Sequence, residues 1–247
     1  MMSDSPVALV TNASFGVGPE IVQCLDAAGL RVAVGARPGE LDNGNIKAPP
    51  EAVTVHQGLM SSPADCARVL TEVVEQHGRL DALVCNMLRP GLSSETPLER
   101  LGSAEWDRHM AKYLSGPFYL MRAALTPMLE QRQGRIVLVI PVEGGRGSVG
   151  QATMGVSSAG LVTLARRLAR EVADRGVTVN TVVAGLVEAG FTLDEMPAEL
   201  AEQVLSSVPA GRFAQRSEVA DVVRYLCAPE AAYITGQVIA VDGGFGT

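Results

Sequence analysis

The 247-residue sequence predicts a single α/β domain built on a parallel β-sheet. Short apolar runs alternate with longer segments of helical periodicity along the chain, a pattern typical of βαβ units whose sheet is covered on both faces. The length suits one such domain with one core. We found no linker, internal repeat or low-complexity tract, so we assign residues 1–247 to one domain.

The elements follow from the apolar pattern in chain order. Seven runs are predicted to be strands: residues 7–11, 31–36, 52–57, 82–86, 135–140, 177–184 and 237–242. Two helices are predicted at 197–207 and 217–228, and a half-buried one at 157–173. The apolar residues of that last helix recur at near-helical spacing, at Ala159, Val162, Leu164, Ala165, Leu168 and Val172.

Composition and charge exclude several classes of function. With 47% hydrophobic and 19% charged residues, the chain is too apolar for a disordered protein, yet it has no apolar run of about 18 residues to span a membrane. The net charge of -7 disfavours nucleic acids and anionic membranes as partners. The first residues lack a targeting pattern, which predicts a cytoplasmic location. The four cysteines lack metal-ligand spacing, so we expect reduced, buried thiols and no metal site.

Several motifs together carry a family resemblance. The first strand runs into TNASFGVGPEI, where glycines allow a tight turn that brings a helix N-terminus close to a phosphate. With GRLDALVCNM, EWDRHMAKYLSGPF, GRIVLVI, GQATMGVSSAG and YITGQVIAVDGG, the chain resembles a classical short-chain dehydrogenase/reductase from about Val7 to Gly244. The resemblance implies a Rossmann-type, doubly wound, seven-stranded parallel sheet and assembly into dimers or tetramers.

The resemblance places other residues at the family's catalytic positions. The family tyrosine, which exchanges the substrate proton, falls on Met154, and the lysine that supports it falls on Ser158. The family serine, which contacts the substrate oxygen, falls on Pro141, and the asparagine that anchors a water falls on Tyr113. Positioned acid–base catalysis contributes about 10²–10⁴-fold to rate, so these replacements predict that the usual family chemistry is lost.

Neighbouring groups could carry a proton instead. Tyr113, His109, Lys112 and Glu143 are the candidates, although helix side chains of these types more often pack or face solvent. Met154 is then simply part of the core or of a cavity wall.

The cofactor positions are altered as well. Asn12 replaces the first glycine of the family turn, while Gly16 and Gly18 remain, and asparagine tolerates the left-handed conformation. Asn86 is retained, but Met87 and Leu88 replace small residues, so we expect both to fill space that adenosine and ribose need.

Positions that would contact the adenosine differ too. Ala36 and Leu59 replace acidic residues, and Ala189 replaces a threonine that contacts nicotinamide. Arg37 could meet a 2′-phosphate or be an ordinary solvated charge. We therefore expect this chain to bind no cofactor, with Asn12, Gly16, Gly18, Arg37 and Asn86 as residual candidates and NAD or NADP bound by a partner subunit.

The main hypothesis is a catalytically inert subunit, a pseudoenzyme, of a heteromeric NAD(P)-dependent oxidoreductase acting on a hydroxy or keto substrate. Its partner would be a catalytically complete homologue, for example in a heterotetramer such as the dehydrogenases of hydroxylated benzylsuccinyl-CoA. One alternative is a homo-oligomeric sensor with an apolar ligand between Met87, Leu88, Met154 and Leu186. Another is an active oxidoreductase or lyase that uses residues outside the family set.

Overall fold

A seven-stranded, all-parallel sheet forms the centre of the protein. The computed structural model describes residues 5–37, 39, 53–88, 96–142, 149–188 and 198–246, and the following statements concern those residues. The strands are β1 (Val7–Thr11), β2 (Arg31–Ala36), β3 (Val53–Gln57), β4 (Ala82–Asn86), β5 (Gly134–Pro141), β6 (Val177–Ala184) and β7 (Val238–Val241). Their order in the sheet is β3-β2-β1-β4-β5-β6-β7. The predicted fold class, a doubly wound parallel sheet, is confirmed.

Seven α-helices accompany the sheet in the described part of the chain. They are α1 (Gly18–Ala27), α2 (Pro63–His77), α3 (Ser103–Met110), α4 (Gly116–Gln131), α5 (Ala152–Val172), α6 (Ala198–Ser206) and α7 (Arg216–Cys227). A π-helical turn (Ala111–Ser115) joins α3 to α4. None of the helices in these ranges is long and apolar enough to cross a bilayer.

The helices cover the sheet in two layers. On one face, α2, α4 and α5 bury residues such as Val69, Leu120 and Leu161 against the strands. On the other face, α1 and α7 do the same with Ile21 and Val223. Because both faces are covered, the central strands are mostly apolar, which is why they read as nearly continuous apolar runs in the sequence.

The helix predicted at 157–173 differs from the prediction in start and phase. It begins at Ala152, and its buried stripe runs through Met154, Ser157, Ser158 and Leu161, while Ala159 is exposed. Ser157 can lie on the buried face because its hydroxyl is satisfied within the helix, with Oγ donating to the Met154 carbonyl at 3.1 Å. The buried face of this helix therefore contains small polar residues as well as apolar ones.

The cysteines are free thiols, as predicted, but not all are buried. Cys66 and Cys85 are buried, whereas Cys24 and Cys227 are only partly so. Burial raises the pKa of the Cys66 thiol to about 11. This thiol is therefore protonated at neutral pH and behaves as a small hydrophobic group.

Candidate active site

The candidate site lies where the strand order reverses, at the carboxyl ends of β1 and β4. Ligands of open α/β sheets bind in the crevice at such a switch point, because the loops that follow the two strands leave in opposite directions. The loop after β1 is the glycine-containing turn, and Met87 and Leu88 follow β4. The sheet topology thus brings together the two segments that the sequence singled out.

The glycine-containing turn has the geometry of a phosphate-binding loop. Asn12 and Gly16 both adopt left-handed conformations, with φ of 49° and 56°. Gly18 begins α1, and a Cβ atom there would lie 2.6 Å from the carbonyl oxygens of Asn12 and Ala13. Only glycine fits that position. The sequence prediction that Asn12 can replace the first glycine without losing the turn agrees with this conformation.

Asn86 holds the turn in place from the end of β4. The side chain is fully buried, and its Nδ2 donates to the carbonyl oxygens of Asn12 and Phe15, both at 3.1 Å. Its Oδ1 accepts the Leu88 N–H at 3.2 Å. In return, Asn12 Nδ2 donates to the Asn86 carbonyl at 2.6 Å. These reciprocal bonds join the two loops of the crevice into one unit.

The end of β2 presents a neutral residue followed by a cation. Ala36 is buried and Arg37 is exposed. Leu59, at the position of the family's acidic adenine contact, is 49% exposed, and its N–H donates to Asp65 at 2.9 Å. In dinucleotide sites of this fold, an acidic residue near the end of β2 binds the ribose hydroxyls, whereas an arginine accommodates a 2′-phosphate. Here Ala36 supplies no acidic group, and the role of Arg37 stays a prediction.

Met87 and Leu88 do not both fill the crevice, contrary to the prediction. Met87 is 4% exposed and packs in the core on the α2, α4 and α5 face of the sheet. Leu88 packs on the opposite face. Its Cβ lies 3.3 Å from the position that a Cβ on Gly16 would occupy. Successive side chains after a strand point to opposite faces, so only Leu88 borders the turn. The predicted apolar ligand pocket between Met87, Leu88, Met154 and Leu186 stays a prediction.

The four positions of the family's catalytic residues are largely enclosed. Met154 and Ser158 lie one turn apart on the buried face of α5, with exposures of 4% and 3%. Tyr113 is buried in the π-helical turn, and Pro141 ends β5, where it is half-buried and pairs in register with Ala184. Two other positions named from the sequence, Glu143 and Ala189, lie outside the described residues.

Around Tyr113 the structure gathers a group that we call the His109 cluster, made up of His109, Lys112, Tyr113 and Ser157. The His109 and Tyr113 rings lie 4.5 Å apart between centroids. His109 Nε2 is 3.3 Å from Ser157 Oγ, and Lys112 Nζ is 4.8 Å from the centre of the Tyr113 ring. The sequence identified the first three residues as candidate proton carriers but missed Ser157, which no motif singles out.

Known proteins are similar to this chain in sequence over nearly their whole length. The chain is 36% identical to the 3-oxoacyl-[acyl-carrier-protein] reductase of Escherichia coli K12, covering 99% of this chain and 98% of the relative. It is 37% identical to the reductase of the same name from Staphylococcus aureus N315, covering 96% of each.

Two solved structures are also similar. An actinorhodin polyketide ketoreductase variant with NADPH superposes with a TM-score of 0.90 at 35% identity, over 100% of both chains. Levodione reductase superposes with a TM-score of 0.89 at 26% identity, over 98% of this chain and 97% of the other.

These comparisons correct the functional prediction. The sequence analysis concluded that the chain is an inert subunit, because Met154 and Ser158 cannot exchange a substrate proton. Full-length relatives at 36–37% identity are named as reductases, and the superposed ketoreductase carries NADPH. They favour the alternative of an active oxidoreductase, and the main hypothesis was wrong. The predicted oligomeric assembly stays a prediction.

The family follows from the sequence match and the fold together. Residues 12–246 match the family described as Enoyl-(Acyl carrier protein) reductase, which spans the crevice, the His109 cluster and the last strand. The topology, the glycine-containing turn and Asn86 are those expected from the resemblance. The chain belongs to the classical short-chain dehydrogenase/reductase family.

Proposed function

We propose that this protein is an NADPH-dependent reductase of a carbonyl compound and that it binds the nicotinamide cofactor itself. The observation that carries the proposal is the intact phosphate-binding turn: Asn12 and Gly16 are left-handed, Gly18 leaves no room for a side chain, and Asn86 fixes the loop. A turn of this geometry, held in place at the switch point of the sheet, supports cofactor binding by this chain.

The residues present fit the phosphate groups of NADPH. The N-terminus of α1, which no side chain caps, and the neighbouring Gly16 would hold the pyrophosphate, because the helix dipole favours anions there. Arg37 would hold the 2′-phosphate, and the neutral Ala36 beside it does not repel that charge. When bound, NADPH supplies the hydride that reduces a carbonyl carbon.

The chain's own residues then shape the crevice. Leu88 borders the turn on one side, so it limits the room beside the cofactor's phosphate groups. Met154 is a buried, apolar and flexible side chain at the position where the family has its acid. The named relatives act on 3-oxoacyl groups, and we extend that substrate class, a ketone two carbons from an acyl carbonyl, to this protein.

The first test is cofactor binding by the isolated chain. We expect saturable quenching of the fluorescence of Trp106, the single tryptophan, on titration with NADPH, and weaker binding of NADH. Arg37→Ala should weaken NADPH binding about 10–100-fold, since charge-assisted hydrogen bonds contribute about 1.5–3 kcal/mol, and leave NADH binding unchanged.

The matched control is Arg170→Ala, which removes an exposed arginine from α5 and should change neither affinity. Reduction of ethyl acetoacetate, a small 3-oxoester, then tests the reaction through the loss of NADPH absorbance. The absence of saturable binding to either nucleotide would refute the proposal.

A further inference from the structure

A reductase that lacks the family tyrosine at position 154 must obtain its proton from another group. We propose that Tyr113 is the acid that protonates the substrate oxygen and that His109 is the positioning residue that fixes its ring. This inference rests on the proposed function, because it names the proton donor for that reaction.

The first argument is the burial of the cluster. Tyr113 is 7% exposed, His109 9% and Ser157 1%, although all three carry polar groups. Burying such groups is costly unless they are bonded to each other, and here His109 Nε2 lies 3.3 Å from Ser157 Oγ. Polar side chains gathered at a site that could be apolar indicate a role beyond packing.

The second argument is the position of the cluster. Ser157 belongs to the same buried stripe of α5 as Met154 and Ser158, which occupy the family's tyrosine and lysine positions. Tyr113 lies at the middle of the π-helical turn Ala111–Ser115, and π-helical turns within α-helices are frequent at functional sites. The phenol is therefore carried on the helix that packs against the altered catalytic face.

The third argument is chemical. In the family, the resemblance implies a phenol with an ammonium group close by, and here Lys112 Nζ lies over the face of the Tyr113 ring, 4.8 Å from its centre. The ammonium would attract the negative charge left on the phenol oxygen. The His109 ring contacts the Tyr113 ring in a tilted arrangement, 4.5 Å between centroids and 37° between planes, and this contact restricts the rotation of the phenol and thus the direction of its hydroxyl.

The proposed step balances as follows. Bound NADPH would supply a hydride to the carbonyl carbon and be left as NADP⁺, and the π electrons of the C=O bond would move to the oxygen. The O–H bond of Tyr113 breaks, its proton passes to that oxygen and completes the alcohol, and the electron pair of the bond stays on the phenolate. The phenolate regains a proton from solvent at the end of turnover.

Tyr113→Phe removes the hydroxyl and keeps the ring, and Tyr119→Phe is the matched control, six residues further along the same helical segment and half-buried. With NADPH and ethyl acetoacetate, we expect Tyr113→Phe to lower kcat by about 10²–10⁴-fold, which is the usual contribution of a positioned general acid to the rate. KM and the NADPH dissociation constant should stay within about twofold, and Tyr119→Phe should match the wild-type protein.

Two variants of His109 distinguish a positioning role from a general contribution to the stability of the fold. His109→Phe keeps an aromatic ring over Tyr113, whereas His109→Ala removes it. If the contact between the two rings positions the phenol, His109→Ala should lower kcat without changing KM. His109→Phe should keep most of the wild-type kcat. Equal rates for the wild-type protein and His109→Ala would refute the positioning role.

A second readout does not depend on turnover. The chain has four tyrosines, so labelling with ¹³C at Cζ gives four signals, and the signal missing from Tyr113→Phe is assigned to Tyr113. NADP⁺ with ethyl acetoacetate forms a complex that cannot react. We expect the Tyr113 signal alone to shift in that complex, because its hydroxyl donates to the ester's ketone oxygen. An unchanged signal at saturation would overturn the proposal.

The outcomes separate this inference from the proposed function. If the wild-type protein binds NADPH and reduces the oxoester but Tyr113→Phe is equally active, only the assignment of Tyr113 fails. If the wild-type protein binds no nicotinamide cofactor, the proposed function fails and the assignment of the donor fails with it.

Discussion

Asn86→Ala tests whether the crevice is held together by the bonds seen between its two loops. The substitution removes three side-chain hydrogen bonds, to the carbonyl oxygens of Asn12 and Phe15 and from the N–H of Leu88. Each buried bond contributes about 0.5–1.5 kcal/mol net, so we expect a loss of about 2–4 kcal/mol in the free energy of unfolding. NADPH affinity should fall at least about tenfold, because the phosphate-binding turn loses the Asn86 hydrogen bonds that fix its conformation.

The assay is urea unfolding followed by the fluorescence of Trp106, combined with NADPH titration of the folded variant. Asn180→Ala is the matched control, because Asn180 is also buried and its side chain donates to the Ile234 carbonyl and accepts the Gln237 N–H. We expect it to lose about 1–3 kcal/mol of stability with unchanged NADPH affinity. A stability loss below about 1 kcal/mol for Asn86→Ala, or equal NADPH affinity in both variants, would refute this account.

Three further predictions concern other sites. Leu88→Ala should tighten NADPH binding about tenfold in the same titration, because it removes the part of the Leu88 side chain beyond Cβ from beside the turn; weaker binding would contradict this. Thr181→Val should raise the free energy of unfolding by about 1 kcal/mol, since the buried Thr181 hydroxyl has no hydrogen-bond partner among the described residues, and a loss of stability would count against this. Arg212 and the Gln215 N–H hold the pKa of Glu218 at about 2, well below its ordinary value of 4.5. A depressed folded-state pKa contributes stability above pH 4.5 that is lost as the pH falls to about 2, so Tm should fall less over that range in Glu218→Gln than in the wild-type protein.

Among the elements, the strands were the most predictable. β1, β2, β4 and β6 have the predicted bounds, because a parallel strand covered on both faces is mostly apolar and is flanked by polar or glycine-rich turns. The helix α5 was less predictable. Its start was placed five residues late and its buried phase missed Ser157 and Ser158, because a serine can be buried wherever its hydroxyl finds an acceptor.

The sequence predicted which residues belong to the candidate site but not how they contact one another. The sequence identified Asn12, Gly16, Gly18, Arg37 and Asn86, and it identified the replacements at the family's catalytic positions. It could not show that Asn86 bonds to Asn12 across 74 residues. The replaced residues alone led to the wrong functional conclusion. The loss of the family's acid at position 154 does not exclude a proton donor elsewhere in the chain.

The sequence by itself determined the fold class, the glycine-containing turn and the family, because apolar periodicity and local turn chemistry are properties of neighbouring residues. Only the tertiary structure decided which side chains meet. It put Met87 and Leu88 on opposite faces of the sheet, and it brought Ser157 to His109 from 48 residues away. Such contacts depend on how helices and strands pack, and packing is set by the whole core rather than by any local pattern.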